Sequence, residues 1–138
     1  MNATFIDTSF LLALTLEDDE LHGRATAWQK CLQGSLVTTQ FVLLEYLDAM
    51  AKPAEKQLAL ATVEVLQSRP AIEIVPLSET LLAQGMSAMR THADKEWGIT
   101  DCISFHIMRQ REIQAALTHD HHFEQAGFEA LLRRDPTP

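Results

Sequence analysis

The chain has 138 residues, 46% of them apolar, with 5 Gly and 5 Pro, which suits one globular domain with a real core and excludes disordered and fibrous classes. A formal net charge of −8 excludes a general binder of phosphate backbones, which presents a basic surface. No apolar run approaches the roughly 20 residues that span a bilayer, and no secretory-leader layout is present, so a cytoplasmic protein without membrane contact is expected.

Residues 4–7 (TFID) form a short strand, and 8–15 (TSFLLALT) open a helix with Thr8 or Ser9 as its cap. After the acidic turn Glu17–Glu20, apolar residues at 21, 25, 28 and 32 recur at helical spacing until Gly34 ends the run. A second strand covers 36–38, a nearly all-apolar helix Gln40–Met50, and a further helix opens at Pro53 and runs to about Ser68. "AIEIVPL" alternates as a third strand. Ser78 caps a helix to about Thr91, the loop "HADKEWG" follows, and Thr100 caps a helix over 101–111. "IQAALT" is a buried strand, "HDHHFEQAGF" turns into a short helix stopped by Gly127, and a last strand lies around 129–132. Strands alternating with single or paired helices predict an α/β fold, a three-layer sandwich whose mainly parallel sheet is flanked by helices. The domain is expected over 1–132, with a polar tail at 133–138. The two cysteines, Cys31 and Cys102, lack metal-ligand spacing and are expected as reduced core residues.

Four carboxylates raise one question. Asp7 ends the first strand and Asp120 lies just past "IQAALT", where open α/β sheets bind ligands. Asp101 sits in the first turn of a helix, favourable for an anion by about 0.3–1 kcal/mol. Glu45 is mid-helix in "QFVLLEYLDAM", among apolar neighbours. Each has an ordinary alternative: Asp7 and Asp120 as caps, Asp101 as a dipole-matched residue, Glu45 turned to solvent. Together they can meet in one cleft, where carboxylates repel or protonate unless a cation intervenes. All-oxygen ligands suit a hard cation, Mg²⁺ or Mn²⁺. His119, His121 and His122 surround Asp120 without a structural-zinc spacing and are expected in a solvated loop, with local tuning of Asp120 as the alternative. Trp28 and Trp97 are expected to pack rather than stack on bases.

"FIDTSFLLAL", "LLEYLD", "DKEWGITDCISFHIM" and "ALTHDHHFEQAGF" occur in that order. From about residue 3 to 132 the chain resembles the PIN-domain nucleases, and within them the VapC-like toxins of toxin–antitoxin pairs. The resemblance implies a PIN-like fold and a metal-dependent endoribonuclease whose acidic quartet is Asp7, Glu45, Asp101 and Asp120, with Asp7 and Asp101 the foremost metal ligands. It also implies positioning roles for Thr8 or Ser9 and for Thr118. Mg²⁺, with Mn²⁺ as a substitute, would supply hydrolysis to 5′-phosphate and 3′-hydroxyl ends. The implied partners are an RNA substrate, a cognate antitoxin that inserts a basic side chain into the cleft, and a second copy of the chain in a homodimer.

Arg90, Lys95, Arg109, Arg111, Arg133 and Arg134 are available for phosphate contacts. A housekeeping RNA-processing nuclease and a non-catalytic RNA- or partner-binding module are the alternatives. An aspartyl-phosphate phosphatase needs an acid where Ser9 stands, and a D-x-S-x-S metal site fails at Leu11.

Overall fold

Short strands joined by longer helices give a sheet whose strands all run parallel, and that direction decides where the acids go. The computed structural model describes residues 2–137. In chain order the elements are β1 (Thr4–Ile6), α1 (Thr8–Thr15), α2 (His22–Cys31), β2 (Leu36–Thr39), α3 (Gln40–Ala49), α4 (Lys56–Ser68) and β3 (Ile72–Val75). They continue with α5 (Glu79–Thr91), α6 (Ile99–Gln110), β4 (Ala115–Leu117), α7 (His121–Gln125), β5 (Glu129–Ala130) and a 3-10 turn (Leu131–Arg133). The five strands pair in the order β3-β2-β1-β4-β5, every pair parallel. The three-layer α/β sandwich expected from the sequence is the fold observed.

The central strands are covered on both faces, so they are mostly apolar and lack the alternation of a half-exposed sheet. Phe5, Ala116 and Leu117 have no exposed surface and Ile6 only 1%. Phe10, Leu11, Tyr46 and Met50 join Phe105, Met108 and Phe123 in the same core. The core also contains threonines that hold neighbouring strands together: Thr38 Oγ1 donates to Ile6 O across the sheet (2.8 Å).

Several boundaries differ from expectation. The cap of α1 is Asp7, not Thr8 or Ser9, because Asp7 keeps the extended backbone of the strand (φ −99°, ψ 165°) and Thr8 already enters the helix. Gly98, not Thr100, caps α6. Pro53 does not open α4: it lies in a turn closed by Glu55 N and Lys56 N donating to Lys52 O, and the helix begins at Lys56. The final strand is only Glu129–Ala130 before the 3-10 turn. Cys31 is exposed rather than in the core, while Cys102 is buried, and both are free thiols.

Of the expected tail, Arg133–Asp135 returns to α2. Trp28 Nε1 donates to Arg134 O (2.9 Å), and Arg24 bonds Leu132 O (3.1 Å) and Asp135 (2.9 Å). Pro138, and Met1 at the other end, lie outside the described residues.

The helix that carries Asp101 is seated by a glycine. A Cβ on Gly85 of α5 would come within 2.7 Å of both Ile103 Cγ1 and Ile99 Cδ1 of α6, so α5 approaches α6 as closely as a bare backbone permits. Gly85→Val is therefore expected to destabilise the fold by about 1–3 kcal/mol through overpacking, read as a lower urea midpoint with an unchanged denaturant slope.

Candidate active site

Strand order reverses at β1: β2 and β3 lie to one side of it, β4 and β5 to the other. The crevice at the carboxyl ends of β1 and β4 is where a sheet of this kind binds ligands. Asp7 follows β1 directly, and its N–H donates to Leu117 O of β4 (3.3 Å). Although Asp7 is the α1 cap residue, its carboxylate makes no capping hydrogen bond. Instead Thr118 Oγ1, past the end of β4, donates to Asp7 Oδ2 (2.7 Å).

That bond uses the only hydrogen of the Thr118 hydroxyl, which in turn accepts from Asp120 N (3.0 Å). Ser9 Oγ then shares its own hydrogen between Thr118 Oγ1 (3.2 Å) and Asp7 Oδ2 (3.3 Å) and accepts from His119 N (3.1 Å). Two hydroxyls thus link the end of β1 to the loop that carries Asp120. Thr8 Oγ1 serves a third acid, donating to Glu45 Oε1 of α3 (2.5 Å). Glu45 itself is exposed, so it satisfies both alternatives at once: one carboxylate oxygen is held from the buried Thr8 while the group remains in contact with water.

Asp101, in the first turn of α6, and Asp120, which caps α7 by accepting from His122 N (2.9 Å), face one another through His122. The imidazole Nδ1 is 3.2 Å from Asp101 Oδ2 and 3.2 Å from Asp120 Oδ1. This corrects the expectation of a solvated histidine loop. His121, with 59% of its side chain exposed, fits that expectation, whereas His122, with 17%, does not. The signal was present as a histidine two residues after a cap aspartate, the position whose backbone N–H bonds the cap side chain.

Charge repulsion ties the acids together. Burial raises the Asp7 carboxyl to about 7; hydrogen bonds from the Thr118 hydroxyl and the Thr8 backbone oppose this, and the charges of Asp101 and Glu45 add to it. Asp101 is also raised, first by burial and next by the charge of Asp120, against a lowering contribution from His122 and with Glu45 adding further. Each of these two acids, buried Asp7 and half-buried Asp101, feels two other members of the quartet. The oxygen donor set, and carboxyl groups held reluctant to ionise by burial and by one another, fit a divalent cation.

The six basic residues considered for phosphate contact are mostly engaged elsewhere. Arg111 pairs with Glu73, Arg134 with Glu129, Lys95 lies 3.8 Å from Asp94, and Arg109 donates to Ala126 O while lying over Phe128. Arg133 pairs with Glu124 but also borders an open cleft of about 460 Å³ shared with Ser9, His119, Asp120 and His121. Trp97 is a packing residue, as expected: it is 6% exposed, edge-on to Phe105, and its Nε1 donates to Gln125 Oε1 (2.9 Å).

The PIN domain family model matches residues 4–129. The chain is 28% identical over 124 residues to the 23S rRNA-specific endonuclease VapC20 of Mycobacterium tuberculosis, covering 90% of this chain and 94% of that one. The crystal structure of M. tuberculosis VapC20, described as a sarcin–ricin loop cleaving toxin, superposes with a TM-score of 0.83 at 27% identity, over 91% and 95% of the two chains. FitAcB from Neisseria gonorrhoeae shares the fold, with a TM-score of 0.61 at 21% identity over 92% and 94%.

A carboxyl raised from 3.8 to about 7 on folding contributes stability that is complete below pH 4 and lost as pH rises through 7. The loss amounts to about 4 kcal/mol. Asp7→Asn, in chelator, is therefore expected to be more stable than wild type at pH 8 by up to about that amount, with the gap closing towards pH 4. Urea denaturation across this range measures it.

Proposed function

The chain belongs to the PIN-domain family of nucleases, and from that premise we propose that it is a Mg²⁺-dependent endoribonuclease, the toxin of a toxin–antitoxin pair. Its products would be 5′-phosphate and 3′-hydroxyl ends. The observation that carries the reading is the meeting of Asp7, Asp101, Glu45 and Asp120 at the crevice where strand order reverses, with Asp7 and Asp101 each destabilised by other members of the group.

In this reading Asp7 and Asp101 hold the ion, with Glu45 and Asp120 completing the acidic wall. Mg²⁺, or Mn²⁺ in its place, supplies a lowered water pKa and neutralises charge developing on the phosphate. The protein's own contribution is placement. Thr118 and Ser9 fix the Asp7 carboxylate from one side and leave its other oxygen free of them. Thr8 fixes Glu45 from beneath, and the α7 cap fixes Asp120. With the acids held this way, little reorganisation is needed when RNA arrives. The net charge of −8 agrees with selection of one folded RNA by shape rather than indiscriminate backbone binding.

The likeness to VapC20, named a 23S rRNA-specific endonuclease, points to a structured loop of large-subunit ribosomal RNA as the substrate. The natural inhibitor would be an antitoxin that places a basic side chain among the acids. A homodimer is the expected assembly.

Incubating the purified chain with ribosomes in Mg²⁺ and sequencing the new 5′ ends tests the chemistry: one dominant cut bearing 5′-phosphate is expected, abolished by chelator. In cells, expressing the chain without an antitoxin is expected to arrest growth. Asp101→Ala should relieve the arrest and lower cleavage at least about 100-fold. An alanine variant as toxic as wild type would overturn the reading.

A further inference from the structure

His122 stands apart from the quartet because it brings nitrogen to an otherwise all-oxygen site. Its Nδ1 lies at the same distance, 3.2 Å, from Asp101 Oδ2 and Asp120 Oδ1. A ring nitrogen offers one in-plane direction, either a hydrogen or a lone pair. Nδ1 hydrogen-bonds Asp101 Oδ2 alone, while Asp120 Oδ1 accepts from the His122 backbone N–H, and 3.2 Å exceeds the roughly 2.7–2.9 Å of a well-made charge-assisted bond. Donors around an octahedral ion with bonds of about 2.1 Å stand about 3.0 Å from their neighbours. The spacing of this nitrogen from each carboxylate is therefore close to that between neighbouring ligands of one ion.

His121 does not share this geometry. Its Nδ1 is 3.8 Å from Asp120 Oδ1 and its side chain is 59% exposed. His121 and Asp120 can still lie near an ion, since one donor atom from each of Asp120, His121 and His122 falls within 4.8 Å of the others. Only His122, 17% exposed, reaches both Asp101 and Asp120 and has its backbone fixed by the Asp120 cap.

We infer that His122 is a nitrogen ligand of the catalytic metal, and that it makes the site bind Mn²⁺ more tightly than Mg²⁺. Imidazole suits first-row transition ions, whereas Mg²⁺ keeps to oxygen and water. This rests on the metal-dependent reading above and deepens it: the quartet supplies the charge, and the histidine supplies the choice of ion. The ring binds as the neutral form with its proton on Nε2, leaving the Nδ1 lone pair for the metal.

The test is pulsed EPR of the full chain loaded with Mn²⁺, read together with calorimetric affinities for Mn²⁺ and Mg²⁺. Wild type is expected to show ¹⁴N modulation from a bound imidazole, replaced by the ¹⁵N pattern when the protein is made with ¹⁵N-histidine. His121→Gln should retain that signal, and His122→Gln should lose it. His122→Gln should also bind Mn²⁺ about tenfold more weakly while changing Mg²⁺ affinity much less. The isotope experiment uses unaltered protein, so it decides even if the His122 variant folds poorly. Mn²⁺ that binds wild type without any histidine coupling would overturn the inference and leave the nuclease reading standing. Failure of wild type to bind either ion would overturn both.

Discussion

The structure depends on one electrostatic conflict: a carboxylate that the fold buries at the end of its central strand. Asp7 is 5% exposed, and burial is the largest influence on its carboxyl. Ionised and unpaired, such a group is costly. The neighbouring hydroxyls of Thr118 and Ser9 offset part of that cost but bring no positive charge. Asp101, Asp120 and Glu45 then add negative charge instead of neutralising it. A divalent cation would remove the conflict, and the phosphodiester hydrolysis proposed above would need the same ion. On that reading the destabilised acid and the activity are two aspects of one arrangement.

The parallel sheet makes that arrangement possible. All five strands point their carboxyl ends the same way, and the reversal of strand order at β1 parts the helices there. Loops following β1 and β4 therefore meet, although Asp7 and Thr118 are 111 residues apart in sequence. Two further acids come from helices whose placement is set by packing. Tyr46, fully buried next to Glu45 in sequence, anchors α3, and Gly85 lets α5 hold α6 closely against its neighbours. Core and site are thus mechanically continuous, and an error in helix seating reaches the acids.

Much of this was legible in the sequence because chemistry-bearing residues fell at element ends. The strand–acid–helix pattern of "FIDTSF", the acid in the first turn of α6 and the acid after "IQAALT" are local signals that place three of the four proposed acids by position. Glu45 was harder, since helical periodicity does not tell whether a mid-helix acid faces a site or water; the hydrogen bond from Thr8 is a contact over 37 residues. His122 was misjudged for a similar reason. Three histidines in a polar stretch resemble a solvated loop until one helical turn folds the third onto Asp101, a partner 21 residues away. Cap positions shifted by a residue or two, because Asp7 and Gly98 hold extended backbone without using a side chain to cap. Cys31 lay within an apolar periodic pattern, yet α2 turns it outward.

The central claim is that side chains gathered from β1, α3, α6 and the end of β4 share one divalent ion. A crystal grown with Mn²⁺ and measured at the manganese absorption edge addresses it directly. The account predicts an anomalous peak in direct contact with carboxylate oxygens of both Asp7 and Asp101. A peak only at surface carboxylates, or none at saturating Mn²⁺ with Asp7 still held only by its protein hydrogen bonds, would contradict it.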